Sequence, residues 1–332
     1  MKAITLGPQG LQYTDHPDKR PEQGQVKVRL KTAGLNHRDL FIIAAAASAT
    51  EGASGPIHPC VLGSDGAGVI AETGEGVTGL FQGMEVIINP CLGWDRADEV
   101  PVVPDILGYP ADGTFAEYVI VPDQNVVPKP AYLSWEEAGV LPLAALTAYR
   151  ALFTRGDLKQ GEHVLIPGIG GGVATFAALM AAAAGAQVTV TSRSEAKRAQ
   201  ALQLPVTRVI DSNSRWREEL QHQPVDLILD SVGPATFGQY FEVIKPNGKI
   251  VMFGASSGDD LTIPARAIFF PQLQLLGTSM GSHEEFTAML QFMEQHQIHP
   301  ILDSVYSLAE TPLALQRMER AEQLGNIALR IG

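Results

Sequence analysis

Residues 26–30, Val26-Lys27-Val28-Arg29-Leu30, alternate apolar and charged with a period of two, the pattern of a strand with one buried face. Two further short apolar runs, 85–88 and 116–121, read as strands, and glycine-dense turns recur at 63–68 and 74–76. The first third of the chain is therefore expected to be a small, irregular β domain. Residues 44–55, nearly all Ala, Ser and Gly, read as a flexible loop. From about residue 133 the pattern changes. Ser134 can cap a helix that carries Glu136 and Glu137 in its first turn, where the helix dipole favours acids, and a second helix, 143–153, follows Pro142. Short, fully apolar runs then alternate with helical stretches. Strands are expected at 163–166, 187–191, 225–229, 249–253 and 273–276, and helices at 173–184, 194–203 and 237–244. Apolar strands alternating with helices imply a parallel sheet covered on both faces, an α/β architecture. The stretch 308–332 predicts one more amphipathic helix and a last strand, 327–331, that returns to the first domain.

Composition narrows the classes of function. The chain has 332 residues, of which 45% are hydrophobic and 18% charged, enough for a sizeable core and favouring two domains over one. A net charge of −12 argues against a nucleic-acid surface, which needs clustered cations, and against an anionic membrane. The expected partner is a small molecule. Cys60 and Cys91 form no CxxC pair, which excludes a disulfide framework or a four-cysteine zinc site and suits a reducing compartment. The first eight residues break too soon for a signal peptide, and the longest apolar stretch, 173–184, is well short of the ~20 residues that span a bilayer. A cytoplasmic protein without membrane partners is expected.

The strongest local signal is the run 164–174, Val-Leu-Ile-Pro-Gly-Ile-Gly-Gly-Gly-Val-Ala: a strand, a glycine-rich turn and a helix start. Glycine lets the backbone turn tightly and approach a pyrophosphate, and the helix N-terminus offers free N–H groups with positive potential. Gly168, Gly170, Gly171, Gly172 and Val173 are the candidate contacts. The spacing reads as GxxGxxA through Gly168, Gly171 and Ala174, not a strict GxGxxG, because position 173 is Val. Taken alone such a cluster could be an ordinary loop; between this strand and this helix a dinucleotide site is the better reading. The next strand ends in Thr191-Ser192-Arg193-Ser194, with Lys197 one turn on. An NAD site normally carries an acid at this strand end for the ribose 2′-hydroxyl, and here none occupies it. Ser192, Arg193 and Lys197 suit a 2′-phosphate, so NADP(H) is the expected cofactor. A helix start that merely happens to be basic is the alternative.

Taken together, these and other segments resemble the medium-chain dehydrogenase/reductase superfamily, in its zinc-free, quinone oxidoreductase-like branch of zinc-type alcohol dehydrogenase-like proteins. The matching residues run nearly end to end: Gly34-Leu35-Asn36-His37-Arg38-Asp39, Leu62-Gly63-Ser64-Asp65-Gly66-Ala67-Gly68, Asp112-Gly113-Thr114-Phe115-Ala116-Glu117-Tyr118, Leu146-Thr147-Ala148-Tyr149-Arg150-Ala151-Leu152, the glycine turn, and Val225-Asp226-Leu227-Ile228-Leu229-Asp230-Ser231-Val232-Gly233. The resemblance implies a GroES-like catalytic domain, 1–125 with 275–332, a doubly wound Rossmann domain, 126–274, and a cleft where cofactor and substrate meet. It also implies that the three ligand positions of zinc-dependent members fall on Asn36, Ser64 and Leu143, none a useful zinc ligand, while the four-cysteine lobe near 91–104 keeps one cysteine. No zinc is expected.

Hydride chemistry on a simple alcohol then lacks its main stabiliser of an alkoxide, which points to easier acceptors, quinones or α,β-unsaturated carbonyls. Asn36 is the candidate hydrogen-bond donor, and His37 the candidate proton donor or relay, with a structural histidine as the alternative. Asp39 and Asp65 are read as braces of their turns. By resemblance Thr147 and Tyr149 lie near the nicotinamide. Ser231, Val232 and Gly233, with Phe253, Gly254 and Ala255 at the next strand end, should line the cofactor site, and Met280 and Gly281 follow the last strand of that sheet. Trp94, Tyr109, Phe41 and Phe269 could shape an apolar pocket or pack in the core. The segment 43–58 is longer than the resemblance leads one to expect. A homodimer through an edge strand, at 273–280 or 301–305, is expected. The competing readings are a non-catalytic NADPH-binding sensor or structural protein and a zinc alcohol dehydrogenase, which the ligand positions disfavour.

Overall fold

The structure, a computed structural model, describes residues 1–49 and 59–332. It divides into two compact units, Met1–Ala144 with Ser282–Gly332, and Ala145–Gly281.

The first unit is built on a seven-stranded sheet in the order Val126–Pro128, Glu85–Ile88, Asp65–Thr73, Gln25–Gly34, Asn326–Arg330, Leu302–Ser307, with Tyr118–Pro122 also paired to Gln25–Gly34. The period-two pattern at 26–30 puts Val26, Val28 and Leu30 into a core with Leu62, Val86, Phe115 and Leu329. The C-terminal strand does return here, pairing antiparallel through Ala328 and Gly34. Gly63, at φ +95°, lies against the Phe115 ring, where an added Cβ would come within 2.2 Å of Cδ1. Only glycine fits. This turn places the buried Ser64 and Asp65 in the candidate site.

Two expectations change. Residues 44–49 are not loop but the end of the helix His37–Ala49, because a run of alanines is the best helix former once a turn has nucleated it. The rest of the expected loop, 50–55, and the end of the segment 43–58 lie outside the described residues. The segment 126–144, grouped with the second domain by sequence, clusters with the first unit. Its helix Trp135–Val140 carries the expected Ser134 cap, which Glu137 completes into a capping box, and packs on Gln25–Gly34, Asp65–Thr73 and Asn326–Arg330. Gly139 makes that approach possible: a Cβ there would meet Thr32 at 2.7 Å. Helical periodicity predicts a helix but not which sheet receives it. At the other boundary, 275–281 stays with the second unit.

The second unit is an all-parallel, six-stranded sheet in the order Arg208–Asp211, Gln187–Ser192, His163–Ile166, Val225–Asp230, Ile244–Met252, Gln274–Gly277. This is the doubly wound Rossmann order, whose connections reverse direction on either side of His163–Ile166. Ligands in such sheets bind at the carboxyl ends of the strands beside that reversal. The strand Arg208–Asp211 gives little signal in the sequence, since only Val209 and Ile210 are apolar and charged residues flank them. Among the described residues no helix is long and apolar enough to cross a membrane.

Candidate functional site

In the second unit, Gly168 adopts φ +78°, a conformation that L side chains rarely take. The turn it makes is pinned by Thr191 on the neighbouring strand. Gly168 N donates to Thr191 Oγ1 at 3.2 Å and Ile169 N donates to Thr191 O at 2.7 Å. Gly171 is the N-cap of the helix Gly172–Ala183 and offers no capping side chain. The first-turn N–H groups of a helix have no partner within it, so those at Gly172 and Val173 suit an anion.

At the end of Gln187–Ser192, the buried Ser192 hydroxyl accepts from Ser194 N at 3.2 Å, while Arg193 is exposed and Lys197 half-buried. Ser194 caps the helix Glu195–Ala201 by accepting from Lys197 N. Arg198 and Asp211 carry no signal in the linear sequence, yet they organise this strand end. The Arg198 guanidinium donates to Ser192 O at 2.9 Å and Arg193 O at 3.1 Å and pairs with Asp211 Oδ2 at 3.1 Å. An acid does therefore stand on the adjacent strand, already neutralised by its own arginine.

Asp230 is the second hidden organiser. Its Oδ1 accepts from Val232 N at 2.8 Å, Gly233 N at 3.0 Å and the Tyr240 hydroxyl at 2.8 Å. Burial, with that carboxylate beside it, pushes the Tyr240 phenol far above its usual range, so it stays a neutral donor. Val232 closes on the glycine turn: a Cβ on Gly168 would sit 3.1 Å from Val232 Cγ2. Phe253 N donates to Asp230 O at 2.9 Å, and Gly254 lies so close to Ser231 that a Cβ would meet its Cα at 3.3 Å. Gly168, Gly170–Val173, Ser231, Val232, Phe253, Gly254 and Ala255 are thus gathered at neighbouring strand ends. Thr147 sits buried in the helix Pro142–Tyr149, and Met280, buried at φ +53°, follows the last strand. A hollow of about 220 Å³ lined by Asp226, Lys245 and Lys249 lies at the opposite, amino ends of the strands, and Lys245 there is paired with Asp226 at 2.7 Å.

In the first unit, Asn36 ends the connection from Gln25–Gly34 into the helix His37–Ala49, and one carboxyl group gathers the three positions that the resemblance assigns to zinc ligands. Asp65 Oδ2 accepts from Asn36 Nδ2 at 2.9 Å, Asp65 Oδ1 accepts from Leu143 N at 2.8 Å, and Ser64 adjoins it in sequence. Ser64 Oγ is turned away to donate to Leu107 O at 2.9 Å. Asp39 Oδ2 accepts from Asn36 N at 2.8 Å. Burial pushes the Asp39 carboxyl up to about 7 and raises Asp65 well above the carboxylate range, with the Asp39 charge adding to the effect on Asp65. Arg38 bonds to Ser64 Oγ, Leu107 O and Tyr109 O at 3.3, 3.1 and 2.9 Å, welding 106–109 to the helix start. His37 is exposed as the first residue of that helix.

The donor set does not fit zinc. An amide whose nitrogen faces a carboxylate, a hydroxyl spent on a carbonyl and an aliphatic side chain offer the ion no thiolate, imidazole or carboxylate at those positions. Trp94 packs in the core and donates from Nε1 to Arg96 O, whereas Phe41, Tyr109 and Phe269 are exposed.

The family models agree with the two halves. An alcohol dehydrogenase GroES-like domain matches residues 22–131 and a zinc-binding dehydrogenase domain matches 172–295. A zinc-type alcohol dehydrogenase-like protein of Schizosaccharomyces pombe is 34% identical over 323 residues, covering 93% of this chain and 91% of its own. An NAD-dependent alcohol dehydrogenase of known structure is 32% identical with a TM-score of 0.90, over 100% of both chains. The 2-octenoyl-CoA carboxylase reductase CinF, solved in complex with NADP and 2-octenoyl-CoA, is 25% identical with a TM-score of 0.87, over 99% of this chain and 87% of its own. A GroES-like domain joined to a Rossmann sheet, and a relative matched over nine-tenths of both chains, lead to one assignment: the chain belongs to the medium-chain dehydrogenase/reductase superfamily.

Proposed function

We propose that the protein is an NADPH-dependent oxidoreductase that reduces α,β-unsaturated carbonyl compounds or quinones by hydride transfer without zinc. The observation that carries this reading is the state of the family's metal position, where Asn36, Ser64 and Leu143 are engaged with Asp65 and the backbone. A site of that kind cannot ionise an alcohol by Lewis acidity. It can meet the smaller charge that develops on the oxygen of an already electron-poor acceptor.

The bound reduced nicotinamide would supply the hydride. The glycine turn and the N–H groups at Gly172 and Val173 would hold the pyrophosphate, and Ser192, Arg193 and Lys197 the 2′-phosphate. Ser231, Val232, Phe253, Gly254 and Ala255 would line the dinucleotide, with Thr147 and Met280 toward the nicotinamide. Among the described residues the Asn36 amide nitrogen gives one N–H to Asp65, which leaves the second for the acceptor oxygen, and His37, exposed beside it, is the proton donor. The enoyl thioester bound to CinF belongs to the same electronic class as an enone. NAD-dependent alcohol oxidation is the second reading, favoured by the 32% identical structure, but Asn36 and Ser64 leave it no metal.

The test is NADPH and NADH oxidation by purified, chelator-treated protein against enones, enoyl thioesters and quinones. Turnover with NADPH in chelator is the expected result. Activity that depends on one tightly bound zinc per chain refutes the zinc-free mechanism. No turnover with any acceptor, despite NADPH binding, favours a sensor or structural protein.

A further inference from the structure

We infer that Asp65 is the positioning residue of the catalytic half-site, fixing which end of the Asn36 amide is offered to a ligand. The inference rests on the proposed reductase reading only for its kinetic arm. Asp65 is fully buried and holds two donors from opposite directions, Asn36 Nδ2 at 2.9 Å and Leu143 N at 2.8 Å. Leu143 N, a backbone donor, fixes Asp65 Oδ1 as an acceptor, and the nitrogen of the Asn36 amide, not its oxygen, faces Oδ2. The backbone of the same residue is held independently, by Asn36 N on Asp39 Oδ2 at 2.8 Å. Asn36 itself is only 7% exposed, so the rotation of its side chain is decided by these neighbours and not by water. What it can present is therefore limited to the second N–H of Nδ2 and the edge of Oδ1. The brace also couples this amide to the start of the helix Pro142–Tyr149 through Leu143.

Amide oxygen and nitrogen are nearly isosteric, so without a fixed acceptor an asparagine can turn its oxygen to where its N–H should be. Asp65→Asn removes that control. The substituted amide accepts from one of the two donors and faces the other with its own N–H, which repels the Asn36 nitrogen and favours the flipped amide.

Two measurements test this. In the kinetic arm, Asp65→Asn lowers kcat on the order of tenfold to a hundredfold, with KM for NADPH unchanged. The same change made in Asn36→Ala costs little more than Asn36→Ala alone, because Asp65 acts through an amide that is gone. Losses that simply multiply, or a loss confined to KM for NADPH, overturn the inference. The second arm needs neither turnover nor a folded Asp65 variant. In the wild-type protein the Asn36 side-chain amide, identified as the NMR signal lost in Asn36→Ala, has one proton shifted downfield and slow to exchange. An Asn36 amide with free-amide shifts and fast exchange overturns the inference even where the protein reduces none of the acceptors.

Discussion

Asp39→Asn tests the electrostatics of the half-site directly. The Asp39 carboxyl is fully buried, one oxygen accepts from Asn36 N, and the other, Oδ1, is buried without a partner among the described residues. Burial raises it from 3.8 to about 7. Between those two values the folded protein holds a proton that the unfolded chain has released, so stability falls as pH rises and levels off once the folded group ionises. A shift of about three units at 1.36 kcal/mol each amounts to about 4 kcal/mol lost between pH ~4 and ~7. The substituted amide keeps an acceptor for Asn36 N and removes the titration. Its new N–H, left unpaired where Oδ1 stood, costs about 1–3 kcal/mol, but equally at every pH. Wild type should therefore be the more stable protein near pH 4, and the variant should gain on it by about 4 kcal/mol toward pH 7. Urea denaturation of both proteins at several pH values reads the difference, and a difference constant across the range refutes the reasoning.

Arg193→Asp should weaken NADPH binding about ten- to hundredfold, by removing a charge-assisted contact to the 2′-phosphate and adding a repelling carboxylate, while NADH is hurt far less; titration with each nucleotide checks this, and a wild type that already prefers NADH contradicts it. His37→Ala should lower kcat about a hundredfold with NADPH affinity unchanged if that imidazole donates the proton; an unchanged kcat means water supplies it. The protein should be a homodimer, because among the described residues one side of Gln274–Gly277 has no strand beside it; a monomer mass by light scattering at micromolar concentration excludes it.

Local chemistry was legible in the sequence. The glycine turn announces itself because a tight turn between an apolar strand and a helix demands glycine, and Gly168 has the positive φ that demand implies. The Ser134 cap, the apolar strands and the strand at the C-terminal end are likewise written in residues close to one another. What the sequence could not show depends on pairings between distant residues. Asp65 joins Asn36, 29 positions away, to Leu143, 78 positions away. The side-chain period alone does not reveal that one carboxylate stands between them. Asp230 gathering Val232, Gly233 and Tyr240, and Arg198 bridging Ser192 O to Asp211, depend in the same way on how turns and adjacent strands come to rest. The segment 126–144 shows the same limit on a larger scale: its helix was readable, but the sheet it packs on was decided by where Gly139 lets it approach Thr32. Periodicity is a property of neighbours along the chain, while burial, and every carboxyl it perturbs, is a property of neighbours in space.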